Sequence, residues 1–174
     1  MIVIITGASH TGKTMLAQKM LEKYKYPYLS IDHLKMGLIR SGNTNFSLED
    51  DDELTEYLWP IVCEMIKTAI ENRQNLIVEG CYIPYNWRKD YSEDYLSDIR
   101  FICLAMSDAY IDFHFDAIRE HGSDIETRLD DSDCTADWIK TENQKVIEGF
   151  GQTGEQVALI NDDYERTIAE ILNG

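Results

Sequence analysis

Gly7-Ala8-Ser9-His10-Thr11-Gly12-Lys13-Thr14 follows the apolar start Met1-Ile2-Val3-Ile4-Ile5 with only Thr6 between them. The octad has the Gly-x4-Gly-Lys-Thr spacing of a phosphate-binding loop. A loop that wraps a polyphosphate turns its backbone N–H groups inward, and glycine at positions 7 and 12 takes those turns without the steric cost of a Cβ. Ala8, Ser9, His10 and Thr11 supply the backbone between them. Lys13 has the reach for the β- and γ-phosphates, and the Thr14 hydroxyl is placed to ligate Mg²⁺. Downstream, Met15, Leu16, Met20 and Leu21 recur at helical spacing as far as Tyr24. The loop therefore opens a helix whose N-terminal dipole favours an anion.

The rest of the chain must be organised around this unit. Its 174 residues suffice for one sizeable core and leave no room for a second, which predicts a single domain over 1–174. A net charge of −16 argues against nucleic acid or an anionic membrane as a partner, since either needs a basic face. No stretch approaches 18 apolar residues, and a strand beginning at Ile2 leaves no removable leader, so a cytoplasmic location is expected. Cys63, Cys81, Cys103 and Cys134 form no C-x-x-C pair, which suits reduced thiols better than a disulfide or zinc framework. No motif specifies an oligomeric state.

Short β-branched or aromatic runs alternate with longer helical stretches, the pattern of a parallel sheet covered on both faces. Four further strands are predicted at 26–31, 75–79, 99–105 and 156–160. Helices are predicted over 47–72, where Ser47 starts the helix and Pro60 should kink or divide it, and over 107–121, 135–150 and 162–172. Residues 41–45 and 149–154 read as loops. The fold class is α/β: three layers, with a five-stranded parallel sheet flanked by helices.

In an open parallel sheet, ligands lie beyond the carboxyl ends of the strands. Two acids stand there. Tyr28-Leu29-Ser30-Ile31 runs into Asp32, and Leu76-Ile77-Val78 runs into Glu79-Gly80. Such an acid can order a magnesium hydration shell or accept a proton from an attacking hydroxyl. For Asp32 the alternative is an N-cap of a helix beginning at His33; for Glu79 it is a solvated acid at a strand end.

With the loop and these acids, the chain resembles the small P-loop kinases of the adenylate kinase and shikimate kinase type along nearly its whole length. The resemblance implies ATP and Mg²⁺ as cofactors, a small-molecule acceptor bound over about 32–60, and a small lid over about 119–135. Nucleoside monophosphate kinases commonly carry an Asp followed three residues later by a basic residue, and Asp32-His33-Leu34-Lys35 is similar; Lys35 would then face an anionic group of the acceptor. Related hydroxyl-directed kinases use an Asp after the second strand as base, which implies that role for Asp32. Glu79-Gly80 looks like the group's Asp-Gly turn, with Glu in place of Asp; Glu79 would support the metal and, with Gly80, the acceptor. The Phe-Pro-Arg that follows the turn in adenylate kinases is replaced by Cys81-Tyr82-Ile83-Pro84-Tyr85-Asn86-Trp87-Arg88, a departure that argues against AMP as acceptor. Lids of the group bring arginines over the transferring phosphate, which suggests Arg119 and Arg128; surface ion pairing is the alternative for both. Asn161, after the fifth strand, stands where relatives contact adenine, although it would also cap the last helix.

The aromatic stretch from Tyr82 to Trp87 fits either an acceptor pocket or packing under the helices. Arg40 and Arg88 are candidates for an anionic acceptor, with pairing to Asp90 or Glu93 the alternative for Arg88. His10, His33 and His114 receive no metal role. The leading expectation is a kinase moving the γ-phosphoryl group of ATP to a small-molecule hydroxyl or phosphate. A nucleotide-dependent switch acting on a protein partner is the second reading, and a toxin-like or antibiotic-modifying kinase the third. Asp-x-x-Gly, Asn-Lys-x-Asp and Leu-Ser-Gly-Gly-Gln, which mark GTPases and transporter ATPases, do not occur.

Overall fold

A computed structural model describes residues 1–47, 51–122 and 134–174. Its five strands are β1 (Ile2–Gly7), β2 (Tyr28–Ser30), β3 (Leu76–Glu79), β4 (Ile99–Met106) and β5 (Val157–Ile160). All pair in parallel, in the order β2-β3-β1-β4-β5. The helices are α1 (Lys13–Tyr24), α2 (Ile31–Arg40), α3 (Asp51–Glu71), α4 (Glu93–Leu96), α5 (Asp108–His121), α6 (Ala136–Gln152) and α7 (Tyr164–Asn173).

Every residue of β1 is buried, as the central strand of a sheet covered on both faces must be. Its side chains divide by the two-residue period. Ile2 and Ile4 pack with Leu54, Leu58, Val62 and Ile66 of α3. Val3 and Ile5 pack with Leu16, Ala17 and Met20 of α1 and Ile168 of α7. Each such burial contributes about 1.5–3 kcal/mol. A third cluster, Met106, Ile111, Ile118, Ile139 and Ile160, ties the ends of β4 and β5 to α5 and α6.

Several boundaries differ from the sequence expectation for identifiable reasons. The second strand shrinks to three residues. Pro27 has no N–H to give a ladder, and Ser30 is already the N-cap of α2, so Ile31 is helical. α3 runs through Pro60 as one element. The carbonyl that this proline leaves unbonded belongs to Glu56, and both residues are exposed, so water can satisfy it. Residues 149–152, expected in a loop, continue α6. Gly149 is there for contact: a Cβ on it would lie 2.4 Å from Tyr85 Cζ. The start expected for the third helix at Ser47-Leu48-Glu49-Asp50 falls partly outside the described residues. A 3-10 turn at Trp87–Asp90 and the single-turn α4 are too short to produce a readable period.

Neighbouring registers bring three strand ends together. Ile5 of β1 and Ser30 of β2 both lie opposite Glu79 of β3, and the Gly80 N–H donates to the Ile5 carbonyl at 3.1 Å. The chain leaves β1 for one side of the sheet and crosses from β3 to β4 over the other, so a crevice opens above β1. All four cysteines are free thiols. Among the described residues, no helix is long and apolar enough to cross a membrane.

Candidate active site

The loop between β1 and α1 takes three left-handed turns, at Gly7 (φ 139), His10 (φ 66) and Gly12 (φ 78). Two internal hydrogen bonds brace it. The Thr11 hydroxyl, fully buried, donates to the Ala8 carbonyl at 2.8 Å, and Lys13 Nζ donates to the same oxygen at 2.8 Å. Gly12 caps α1 with no side-chain hydrogen bond, which leaves the first N–H groups of the helix directed into the cradle.

Thr14 and Glu79, 65 residues apart in sequence, meet beside this loop: the Thr14 hydroxyl donates to Glu79 Oε2 at 3.3 Å. Glu79 is 1% exposed, so the reading of a solvated acid falls. A hydroxyl and a carboxylate are the hard oxygen donors that suit Mg²⁺, an ion that keeps much of its shell for water and phosphate. No group of three or more His, Cys, Asp or Glu among the described residues could form a protein-only cage.

Across the strand end, Lys35 Nζ lies 2.9 Å from Asp32 Oδ1 and donates to the Tyr82 hydroxyl at 2.6 Å, with the ammonium 4.7 Å from the Tyr82 ring centroid. The N-cap of α2 is Ser30, and Asp32 lies in the first turn, so capping does not account for Asp32. Gly80 presses β3 against α2, since a Cβ there would fall 2.9 Å from Ile31 Cβ at φ 154.

The other predicted residues fare differently. Arg40 is exposed at the far end of α2, about 12 Å along the axis from Asp32 at 1.5 Å per residue. Arg88 pairs with Glu155, not with Asp90 or Glu93, and lies 4.9 Å over the Trp87 ring. That hydrogen bond with Glu155 is also what raises the Arg88 pKa. Asp90 is taken by the Trp59 indole N–H at 2.8 Å. Within the aromatic stretch, Trp87 is core, stacked on Phe101 at 5.0 Å, and Tyr85 packs on Phe150; Tyr82 alone joins the Asp32–Lys35 pair. Arg119 lies over Phe115 of its own helix at 5.8 Å. Arg128, with most of the expected lid, falls outside the described residues. Asn161 is exposed beside α7, where Asp163 is the cap, accepting from the Arg166 N–H at 3.0 Å.

Two contacts of the loop, made by His10 and by Tyr164, escaped the sequence reading. His10 sits 3.7 Å from Cys134 Sγ through Nε2, edge-on to Trp138 at 6.2 Å, and against Gly122. It thus links the phosphate loop to the end of α5 and the start of α6. Its left-handed backbone is one that His tolerates better than most residues. Tyr164 covers Gly12 so closely that a Cβ there would lie 2.0 Å from the phenol oxygen. Burial pushes the Tyr164 hydroxyl up to about 12. Nothing in the spacing of either residue signals these contacts.

No protein-family model and no curated protein sequence matches the chain. Solved structures do. An unliganded sugar kinase from Janibacter sp. HTCC2649 is 14% identical, with 99% of this chain and 92% of that one covered and a TM-score of 0.59. A deoxyadenosine kinase from M. mycoides, bound to dCMP and dCDP, is 16% identical over 99% and 97%, with a TM-score of 0.57. A shikimate kinase from Bacteroides thetaiotaomicron is 15% identical over 99% and 96%, with a TM-score of 0.55. The chain has the α/β fold of these kinases, a five-stranded parallel sheet flanked by helices.

Proposed function

We propose that this chain is a phosphotransferase dependent on ATP and Mg²⁺, moving the γ-phosphoryl group to a small-molecule acceptor. The observation that carries the reading is the convergence at one strand-end crevice of the Thr14–Glu79 contact at 3.3 Å and the Asp32–Lys35 pair at 2.9 Å. A phosphate cradle, a hard-oxygen metal pair and a carboxylate for the acceptor are the parts that phosphoryl transfer needs. The fold shared with sugar, shikimate and deoxyadenosine kinases supports the same class.

In this reading, backbone N–H groups of residues 7–14 hold the phosphates, and Lys13 leaves the Ala8 carbonyl to neutralise charge on the transferring group. Bound Mg²⁺ offsets charge on the phosphate oxygens, with Thr14 and Glu79 as its protein-side ligands. Asp32 orients the acceptor or acts as its base, while Lys35, Gly80 and Tyr82 shape the acceptor end. Arg119 and Arg128 belong to a lid over about 119–135 that closes on the phosphates, and Asn161 contacts the base. The chain works as one domain in the cytoplasm, on neither nucleic acid nor membrane, in keeping with its net charge of −16.

The test is ADP release from MgATP in a coupled assay, run on wild type and on Lys13→Ala. Wild-type release that is stimulated by a small molecule and lost in Lys13→Ala is the expected result. Equal release by both proteins would sink the assignment.

A further inference from the structure

The proposed transfer leaves open whether the attacking group is a hydroxyl or a phosphate. We infer that it is a hydroxyl, and that Lys35 is a positioning residue holding Asp32 instead of a ligand for an acceptor phosphate. This rests on the phosphotransferase reading above and sharpens it.

A phosphate acceptor needs a cation able to turn toward it, and a guanidinium fork serves best. At the acceptor end of the described site, Lys35 is held from two sides, by Asp32 Oδ1 at 2.9 Å and the Tyr82 hydroxyl at 2.6 Å, and its side chain is 12% exposed. To bind a phosphate it would have to abandon both partners. Arg88 is engaged by the nearly buried Glu155. Arg40 sits at the other end of α2, too far along the helix to hold a group reacting beside Asp32.

A phosphate monoester is already ionised near neutral pH and attacks without giving up a proton, so a carboxylate beside it only repels it. An alcohol must lose its proton as the new O–P bond forms, and a carboxylate in reach is what it lacks. Asp32 has a second oxygen for that purpose, while Lys35 fixes the first. The step balances: the acceptor oxygen bonds to the γ-phosphorus, its proton passes to Asp32, and the bond from phosphorus to the bridging oxygen breaks to release ADP. The compounds expected to fit are polyols, sugars, nucleosides or amino sugars, reacting at an alcohol.

The experiment measures Lys13-dependent ADP release from MgATP with glucose, glycerol, adenosine, cytidine or kanamycin, with AMP or CMP, and with water alone as the smallest hydroxyl reactant. Phosphorus NMR identifies the product. The expected product is a phosphate ester, or inorganic phosphate when water reacts. Its formation should fall by about 10²–10⁴-fold in Asp32→Asn, the usual worth of a general base. Lys35→Met should lower kcat about tenfold or more with the KM of the reacting compound held within threefold, and Lys35→Arg should recover part of the loss. In the double variant Asp32→Asn/Lys35→Met the rate should fall little further than in Asp32→Asn alone, because the two residues act as a unit.

A nucleoside diphosphate formed at a rate unchanged in Asp32→Asn overturns the inference. So does a tenfold rise in KM at constant kcat in Lys35→Met. No Lys13-dependent release under any condition overturns the phosphotransferase reading itself, an outcome distinct from the other two.

Discussion

Gly7→Ala tests how the sheet builds the phosphate loop. A Cβ at position 7 would stand 2.0 Å from the Leu104 carbonyl oxygen and 2.8 Å from the Leu104 nitrogen, both backbone atoms of β4. An ordinary carbon–oxygen contact is about 3.3 Å, so β1 and β4 must part by about 1.3 Å at this point. Gly7 and Leu104 are register partners, and the Ala8 N–H donates to that same carbonyl at 3.2 Å. Parting the strands leaves that buried pair unmade, at about 1–3 kcal/mol per group. The left-handed backbone at φ 139 adds about 1–2 kcal/mol for any residue with a Cβ. The total, about 3–8 kcal/mol, is a large share of the roughly 5–15 kcal/mol that a domain possesses. With a urea slope of about 2 kcal/mol per molar, the unfolding midpoint followed by circular dichroism should drop by about 1.5–4 M, with MgATP binding lost as well. A midpoint within about 0.5 M of wild type would show that the loop has room the structure denies, and the argument from close approach would fail.

Gly12→Ala should be milder than Gly7→Ala, although its Cβ also meets an atom at 2.0 Å, because that atom is the hydroxyl of Tyr164 and a side chain can swing away; urea midpoints of the two variants rank them, and equal losses would contradict this. Trp87→Ala should cost about 3–5 kcal/mol, since the indole is 1% exposed and stacked on Phe101, and calorimetry that finds less than 1 kcal/mol would place Trp87 outside the core. Alkaline pH should destabilise the fold. Burial pushes the Cys103 thiol from 9.0 up to about 12, and the folded chain therefore keeps a proton that the unfolded chain releases. The stability this provides is whole below about pH 9 and is lost as pH rises toward 12, amounting to about 4 kcal/mol at 1.36 kcal/mol per unit. Urea midpoints at pH 8 and pH 10 should differ less in Cys103→Ala than in wild type, and identical slopes would refute the assignment.

Local chemistry wrote much of this protein into its sequence. The phosphate loop was legible because glycine is the residue that permits its turns, and Lys13 and Thr14 follow at a fixed offset. The five strands were legible because a sheet covered on both faces demands continuous apolar runs, and Ser107 and Thr135 signalled two helix starts through their caps. Asp32 and Glu79 could be picked out from their places at strand ends, since the crevice of a parallel sheet lies there. What those acids touch could not be read. That Glu79 meets Thr14, that Lys35 is held between Asp32 and Tyr82, that Arg88 turns to Glu155, and that His10 and Tyr164 close on the loop are contacts between residues distant along the chain. Spacing in sequence reports periodicity and backbone permission, which are local. Which polar group satisfies which is decided only when the packing of α1, α2 and the segment after β3 on the sheet fixes the distances between them.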